Sequence, residues 1–261
     1  MKPNSTASVI VPIYKPNPEW LEACLHSIRS QTYPVELVTV EDTEGKGAWH
    51  ARNLGLEKAT GDYIAFCDAD DYLEPFAIER MVEAIDGDVD MVVGSFRKFG
   101  EWEQTVSHPT VTWGLEKVAD YVMWNLRHPM HNQLLSGCWA KMYRKSLVRL
   151  FPRLTTAEDT AFNFDYLSRC CYVRVLEDVV YNNRKHSDSL STAFDEKDKW
   201  GLFRVMEALM HVRNFLTEFY SEDVIDQAID NSKVYHAMLY YMRICNQTKL
   251  PMREVLMKLY Q

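Results

Sequence analysis

The 261 residues carry 37 acidic against 29 basic side chains, a formal charge of −8, with a pI near 5.5. That balance excludes a general nucleic-acid binder, whose affinity comes from lysines and arginines neutralising phosphates; it leaves room for a local basic site around one diphosphate. An apolar share of 47% is ordinary for a globular protein. No run approaches the roughly 20 apolar residues of a membrane span, and the apolar run at 9–13, broken by Pro12, is too short for a signal peptide. The six cysteines, Cys24, Cys67, Cys138, Cys170, Cys171 and Cys245, form no C-x-x-C pair and read as reduced core thiols of a cytoplasmic protein.

Residues 8–14 are a β-branched run, expected as a buried strand. Asn17-Pro18 offers a cap and a first-turn proline to a helix with Leu21, Cys24, Leu25 and Ile28 at helical spacing. A second strand is expected over 35–40. A loop with Gly45 and Gly47 leads into a second helix bearing Ala51 and Leu54. A third strand over 63–67 runs into Asp68-Ala69-Asp70-Asp71. Pro75 opens a helix with Ile78, Met81, Val82 and Ile85 on one face, and 89–93 is the next strand. Strand–helix alternation makes residues 1–96 a parallel, doubly wound half-domain of an α/β fold. Beyond it, 139–143 and 172–181 read as strands and 159–167 as a helix. From about 195 the chain turns helical. Leu202, Val205, Met206, Leu209, Val212 and Phe215 mark one helix, and Val234, Met238, Tyr241 and Met242 mark another, with faces expected to pack in the core.

Ligands of open α/β sheets sit beyond the carboxyl ends of the strands, where Tyr14, Asp42 and Asp68–Asp71 fall. Three carboxylates within four residues repel one another unless solvated, protonated or neutralised by a cation. Their oxygens suit Mg2+ or Mn2+; a solvated acidic turn with Asp71 capping the next helix accounts for the same run. Arg52 has the chemistry to grip a diphosphate through paired hydrogen bonds, or to be a surface arginine. Asp159, in the expected first turn of a helix, is either a cap or a general base aimed at a substrate hydroxyl. Arg184 and His186, just after a strand, offer a phosphate contact and a metal ligand.

In order and spacing these segments resemble the family 2 glycosyltransferases of GT-A fold. The resemblance is carried by Val9–Tyr14, by Leu21 to Tyr33 with Ser27, Ile28 and Gln31, by Ala51-Arg52-Asn53-x-Gly55, and by Gly61 through Asp71. It continues in Trp139-x-Lys141-x-Tyr143, Glu158-Asp159-Thr160 and Tyr181-x-x-Arg184-x-His186. It implies an inverting transfer of sugar from a nucleotide-sugar, UDP-linked by preference, to a hydroxyl of a saccharide or lipid-linked acceptor in cell-surface polysaccharide or glycoconjugate synthesis. Pro12, Tyr14, Asp42, Arg52, Asp68, Ala69 and Arg184 would bind the nucleotide-sugar, Asp70 and His186 would ligate Mn2+ or Mg2+, and Asp159 would be the base. The same resemblance divides the chain into a GT-A domain at 1–192, with a nucleotide-sugar half at 1–96 and an acceptor half at 97–192, and a helical region at 193–261. It places the chain in the cytoplasm, with peripheral contact at the inner face of the membrane open to it. Two departures stand out: Lys15 replaces the customary asparagine, and one helix–strand unit is pared to the loop 43–50. That loss keeps a degenerate, scaffold-like relative in view beside the enzyme, as the Asp cluster alone keeps a metal-dependent nucleotidyltransferase.

Overall fold

Along β1 (Ala7–Ile13), Ala7, Val9 and Val11 enter one apolar cluster and Ile10 another, because successive strand residues leave opposite faces. In β3 (Tyr63–Phe66) the same division puts Ile64 and Phe66 on one side and Tyr63 and Ala65 on the other. A sheet apolar on both faces needs a cover on each. The computed structural model describes residues 5–128, 137–153, 158–186 and 212–249, and in it helices supply both covers. α1 (Pro18–Arg29) and α3 (Ala77–Ala84) lie on one face through Cys24, Ile28, Ile78 and Met81. On the other lie α2 (Ala48–Lys58), α4 (Leu115–Arg127), α5 (Glu158–Leu167) and the start of α6 (Glu222–Thr248).

The remaining strands are β2 (Val35–Glu41), β4 (Tyr72–Leu73), β5 (Val89–Gly100), β6 (Gln104–Val106), β7 (Val111–Trp113), β8 (Lys141–Arg144) and β9 (Tyr172–Lys185). Among the described residues the sheet has nine strands in the order β2-β1-β3-β8-β5-β9-β4, with β6 on β5 and β7 on β9. β1 runs parallel to β2 and β3, and β5 parallel to β9. The expected parallel half over 1–96 is corrected at one point. β5 does not pair with β3; β8 lies between them, antiparallel to both. Its alternation suits that place, with Tyr143 in one core and Met142 in the other. The two sequence halves therefore share one sheet.

Local signals hold where they are self-contained. Asn17 Oδ1 accepts from the amides of Glu19 (2.9 Å) and Trp20 (3.3 Å), with Pro18 in the first turn. The third helix starts at Ala77 rather than Pro75, since its first turn is held from outside: Gln31 Oε1 accepts from the Ile78 amide (2.9 Å), and Gln31 Nε2 donates to Glu74 O (2.7 Å). Gln31 thereby ties the end of α1 to the turn after the acidic cluster. Of the cysteines, Cys24, Cys67, Cys138 and Cys170 are free and buried, but Cys171, at the turn entering β9, is exposed; Cys245 lies outside the described side chains.

The helical tail is a mixed case. Residues 202–211 fall outside the described residues, while Val212, Phe215 and Leu216 are buried against the α4 side, as are Ile225, Ala228 and Ile229 of α6. Val234 and Met238, expected in the core, are 60% and 57% exposed. Helical spacing defines a stripe but not its cover; among the described side chains of α6, Ser232 is the last that is buried. The side chains of Tyr241 and Met242 lie outside the described set.

Gly55 marks the crossing of α2 over β1, where a Cβ would overlap Cγ2 of Ile10. Gly55→Ala is expected to cost about 1–3 kcal/mol, the range for forcing a methyl group into a packed core. Urea unfolding measures it, and a variant as stable as the parent would mean the α2–β1 contact yields freely.

Candidate active site

Three groups of polar side chains gather at the carboxyl ends of β1, β3 and β9. The first is centred on Arg52 in α2, which is 3% exposed. Its Nη2 donates to Asp68 Oδ1 (2.9 Å), and its Nη1 donates to Asp159 Oδ1 (2.7 Å) and Glu158 Oε1 (3.1 Å). Asp68 follows β3, and the two acids open α5, where the helix dipole favours negative charge. Burial pulls the guanidinium down, but Asp159, Asp68 and Glu158 outweigh it and hold Arg52 well above its ordinary value. Burial, partly offset by Arg52, raises the Asp68 carboxyl. Burial and the neighbouring Asp159 push Glu158 up to about 7. Arg52, expected on a diphosphate, is here ion-paired to three carboxylates.

The second group is built on Asp71, which is 1% exposed. Its Oδ2 accepts from the Tyr181 hydroxyl (2.7 Å) and Asn183 Nδ2 (2.8 Å), and its Oδ1 from the Arg184 amide (2.6 Å). Burial, then the charges of Asp70 and Asp68, push its carboxyl well up. Asp71 thus brackets β9 to the loop after β3 instead of capping a helix, and it leaves Asp70 turned outward, its side chain 37% exposed. Asp70 Oδ2 meets His186 Nε2 at 2.9 Å, and Asp70 O accepts from Arg184 Nε at 2.9 Å. The Arg184 guanidinium lies 4.8 Å from the Trp20 ring centre and 4.6 Å from that of Phe99, a cation–π sandwich. Trp20 also lies 4.8 Å from the His186 ring, whose Nδ1 is buried with no partner.

The third group contains the residues expected around a nucleoside. Tyr14 is 42% exposed, with the Lys15 ammonium 5.1 Å from its ring centre. Asp42 is buried, and both its oxygens accept from the shortened loop: Oδ1 from the Lys46 amide (3.0 Å) and Oδ2 from the Gly47 amide (2.7 Å). Gly47 (φ 101) can make the turn into α2 because it has no Cβ. The carboxylate expected to read a base holds the pared loop in place. Pro12 stays inside β1, opposite Val40, and Ala69 packs on the α1–α3 side.

The sequence matches the glycosyl transferase family 2 description over residues 36–150. That span includes Asp42, Arg52, Asp68 and Asp70 and ends before Asp159. The putative glycosyltransferase EpsH of Bacillus subtilis (strain 168) is 24% identical over 251 residues, 82% of this chain and 72% of that protein. Glycosyltransferase GlyA of Streptococcus pneumoniae serotype 4 is 30% identical over 227 residues, 73% of this chain and 32% of its own length. The crystal structure of S. aureus TarS 1–349 in complex with UDP-GlcNAc superposes with a TM-score of 0.66 at 19% identity, covering 87% of this chain and 71% of that one. Residues 36–150 belong to the family 2 glycosyltransferases. The fold of the chain is that of the GT-A enzymes. Glu158, Asp71, Tyr181 and Asn183 join these clusters although sequence reasoning assigned none of them a binding or catalytic role. Asp71 and Glu158 stood beside selected acids and Tyr181 headed the Arg184–His186 motif, whereas nothing local marked Asn183.

Two outcomes follow for the glycosyltransferase. Arg52→Met leaves Asp68, Glu158 and Asp159 without their cation and is expected to cost about 3–5 kcal/mol, most at high pH, where they cannot escape by protonation; urea unfolding that shows under 1 kcal/mol would demote Arg52 to a bystander. The folded value of Glu158, about 7, stands above its ordinary 4.5. The folded chain therefore holds a proton that the unfolded chain releases, and stability falls as pH rises from about 4.5 through about 7. Glu158→Gln, a fixed mimic of the protonated acid, should melt with the parent at pH 5 and above it at pH 8. A gap independent of pH would remove Glu158 from the titrating cluster.

Proposed function

We propose that the chain is an inverting glycosyltransferase that takes a sugar from a UDP-sugar and passes it to a hydroxyl of a saccharide or lipid-linked saccharide acceptor, in cell-surface polysaccharide synthesis. The observation that carries the reading is the Arg52 cluster, which joins Asp68, on the loop that would meet the donor, to Asp159, on the helix that would meet the acceptor. The bound UDP-GlcNAc of the TarS structure supports the choice of donor.

Asp70 Oδ2 and His186 Nε2 offer an oxygen and a nitrogen donor side by side, 2.9 Å apart, and the buried Nδ1 of His186 has no partner. Among the described residues no third His, Cys, Asp or Glu joins them. The pair therefore fits a Mn2+ or Mg2+ ion that takes its remaining ligands from diphosphate and water, as Mg2+ commonly does. Such an ion, which Asp70 and His186 would hold, would supply Lewis-acid neutralisation of the diphosphate charge.

The chain's own groups do the rest. Arg184, fixed between Trp20 and Phe99, adds positive field beside the leaving group. Arg52 takes Oδ1 of Asp159, so Oδ2 is the atom that would accept the acceptor proton as its oxygen attacks the anomeric carbon. Attack from the face opposite the leaving diphosphate inverts that centre. Tyr14 would stack on the base. Asp42 would act on it through the loop that it holds.

Among the described residues no helix is long and apolar enough to cross a membrane. We place the enzyme in the cytoplasm, working at the membrane's inner face. Calorimetric titration of UDP and GDP, each with and without Mn2+, tests the site. UDP binding strengthened by Mn2+ is the expected result, and a preference for GDP would overturn the donor. Binding of neither would favour the scaffold-like relative. Asp70→Asn should lose the Mn2+ effect. Asp159→Asn should keep UDP binding while transfer falls by about 10²–10⁴-fold, the usual share of a general base; loss of binding in step with rate would strip Asp159 of that role.

A further inference from the structure

Residues 137–141 enter β8 by a path that strands avoid. Ala140 has φ 54, a left-handed value uncommon for a residue with a Cβ. The carbonyls of this stretch all turn to identifiable donors. Gly137 O accepts from Lys141 Nζ (2.6 Å) and Asn163 Nδ2 (3.0 Å), and Cys138 O from the Tyr143 hydroxyl (3.2 Å). Trp139 O accepts from Lys141 Nζ (3.1 Å), and Ala140 O from the Gly94 amide (2.9 Å).

Lys141 is the unusual member. It is 2% exposed, and an ammonium out of water is costly unless its donors are well used. Burial draws its pKa down to about 8, against the opposing pull of Cys138 and Asp159. A methionine would fill the same volume without that cost but could not hold two carbonyls at once.

What the ammonium holds extends in two directions. Trp139 stacks on Tyr181 (centroids 5.1 Å, 17°) and meets Phe96 edge-on (4.6 Å, 78°), and the Tyr181 hydroxyl accepts from the Asp68 amide (3.1 Å) and donates to Asp71. In the other direction, Asn163 shares Gly137 O with Lys141 and accepts from the Tyr143 hydroxyl (2.7 Å). Asn163 sits one helical turn beyond Asp159 on α5.

We propose that Lys141 is a positioning residue for sugar transfer: its buried ammonium sets the Trp139 loop by holding Gly137 O and Trp139 O, and so presents Gly137 O to Asn163 on the helix of Asp159, so that the wall beside the donor acids and the base are held as one unit. The proposal rests on the reading of Asp159 as base.

Hydrolysis of UDP-GlcNAc, with water as acceptor, and hydrogen exchange of the full chain test it together. Lys141→Met is expected to lower kcat about tenfold or more, with the donor KM within twofold. Val122→Ala, which loosens the same core on α4, should lower the melting temperature and leave kcat in place. Exchange in Lys141→Met should quicken over 158–167 as well as 137–144 and stay unchanged over 7–13. Should Lys141→Met not fold, Asn163→Ala, which cuts the second donor to Gly137 O, should give a smaller fall in kcat and the same exchange pattern. An unchanged kcat, a donor KM that rises with the loss, an equal loss in Val122→Ala, or unchanged exchange over 158–167 each overturns the proposal. A parent chain that binds no UDP defeats the donor reading instead, and the exchange result still decides whether Lys141 makes the tie.

Discussion

Almost everything at this site depends on one buried cation. Arg52 gathers three carboxylates from two other stretches of chain, Asp68 at a separation of 16 residues and Glu158 and Asp159 at 106 and 107. A buried ion pair is poor grounds for claiming stability, since desolvation can cancel the attraction. Its force lies in specificity. With one charge facing three, the loop after β3 and the first turn of α5 are locked to α2, and neither swings away without leaving a carboxylate unpaired in a poorly solvated place. Asp68 and the two acids of α5 are thus set against each other by electrostatics, alongside the apolar contact of Phe66 with Phe162.

Asp71 does comparable work with neutral donors. Two side-chain donors and one amide converge on it, fixing the end of β9 beside the loop that bears Asp70. Adjacent acids in one short run therefore divide the labour: Asp68 faces Arg52, Asp70 faces His186 and outward, and Asp71 is sunk to hold the other two in place.

The features readable from sequence were those whose cause is local. The Asn17-Pro18 cap, the alternation of β1 and β3 and the run of acids beyond β3 need only a few neighbouring residues, and they locate the site at the strand ends. Partnership over distance was not readable. The sequence presents Arg52 as a free cation suited to phosphate, because nothing near it reveals acids more than a hundred residues away. Asp42 reads as a base-recognising acid until the short loop folds back and claims both its oxygens. Val234 and Met238 have helical spacing, but a stripe cannot state whether another element covers it. The place of β8 between β3 and β5 is hidden for the same reason: alternation declares a strand without naming its neighbours.

That interposed strand has a consequence for how the chain is made. Until residue 144 leaves the ribosome, β3 and β5 are complete but have no partner between them, and each presents an unpaired row of amides and carbonyls of the kind that invites association with other chains. The stretch from β1 to β5 cannot close its sheet as an early, independent folding unit. It waits for a distant segment, the arrangement that slows folding through loop-closure entropy. A nascent chain stalled or truncated between residues 100 and 140 would expose both edges at once, making it a substrate for chaperones and a seed for aggregation.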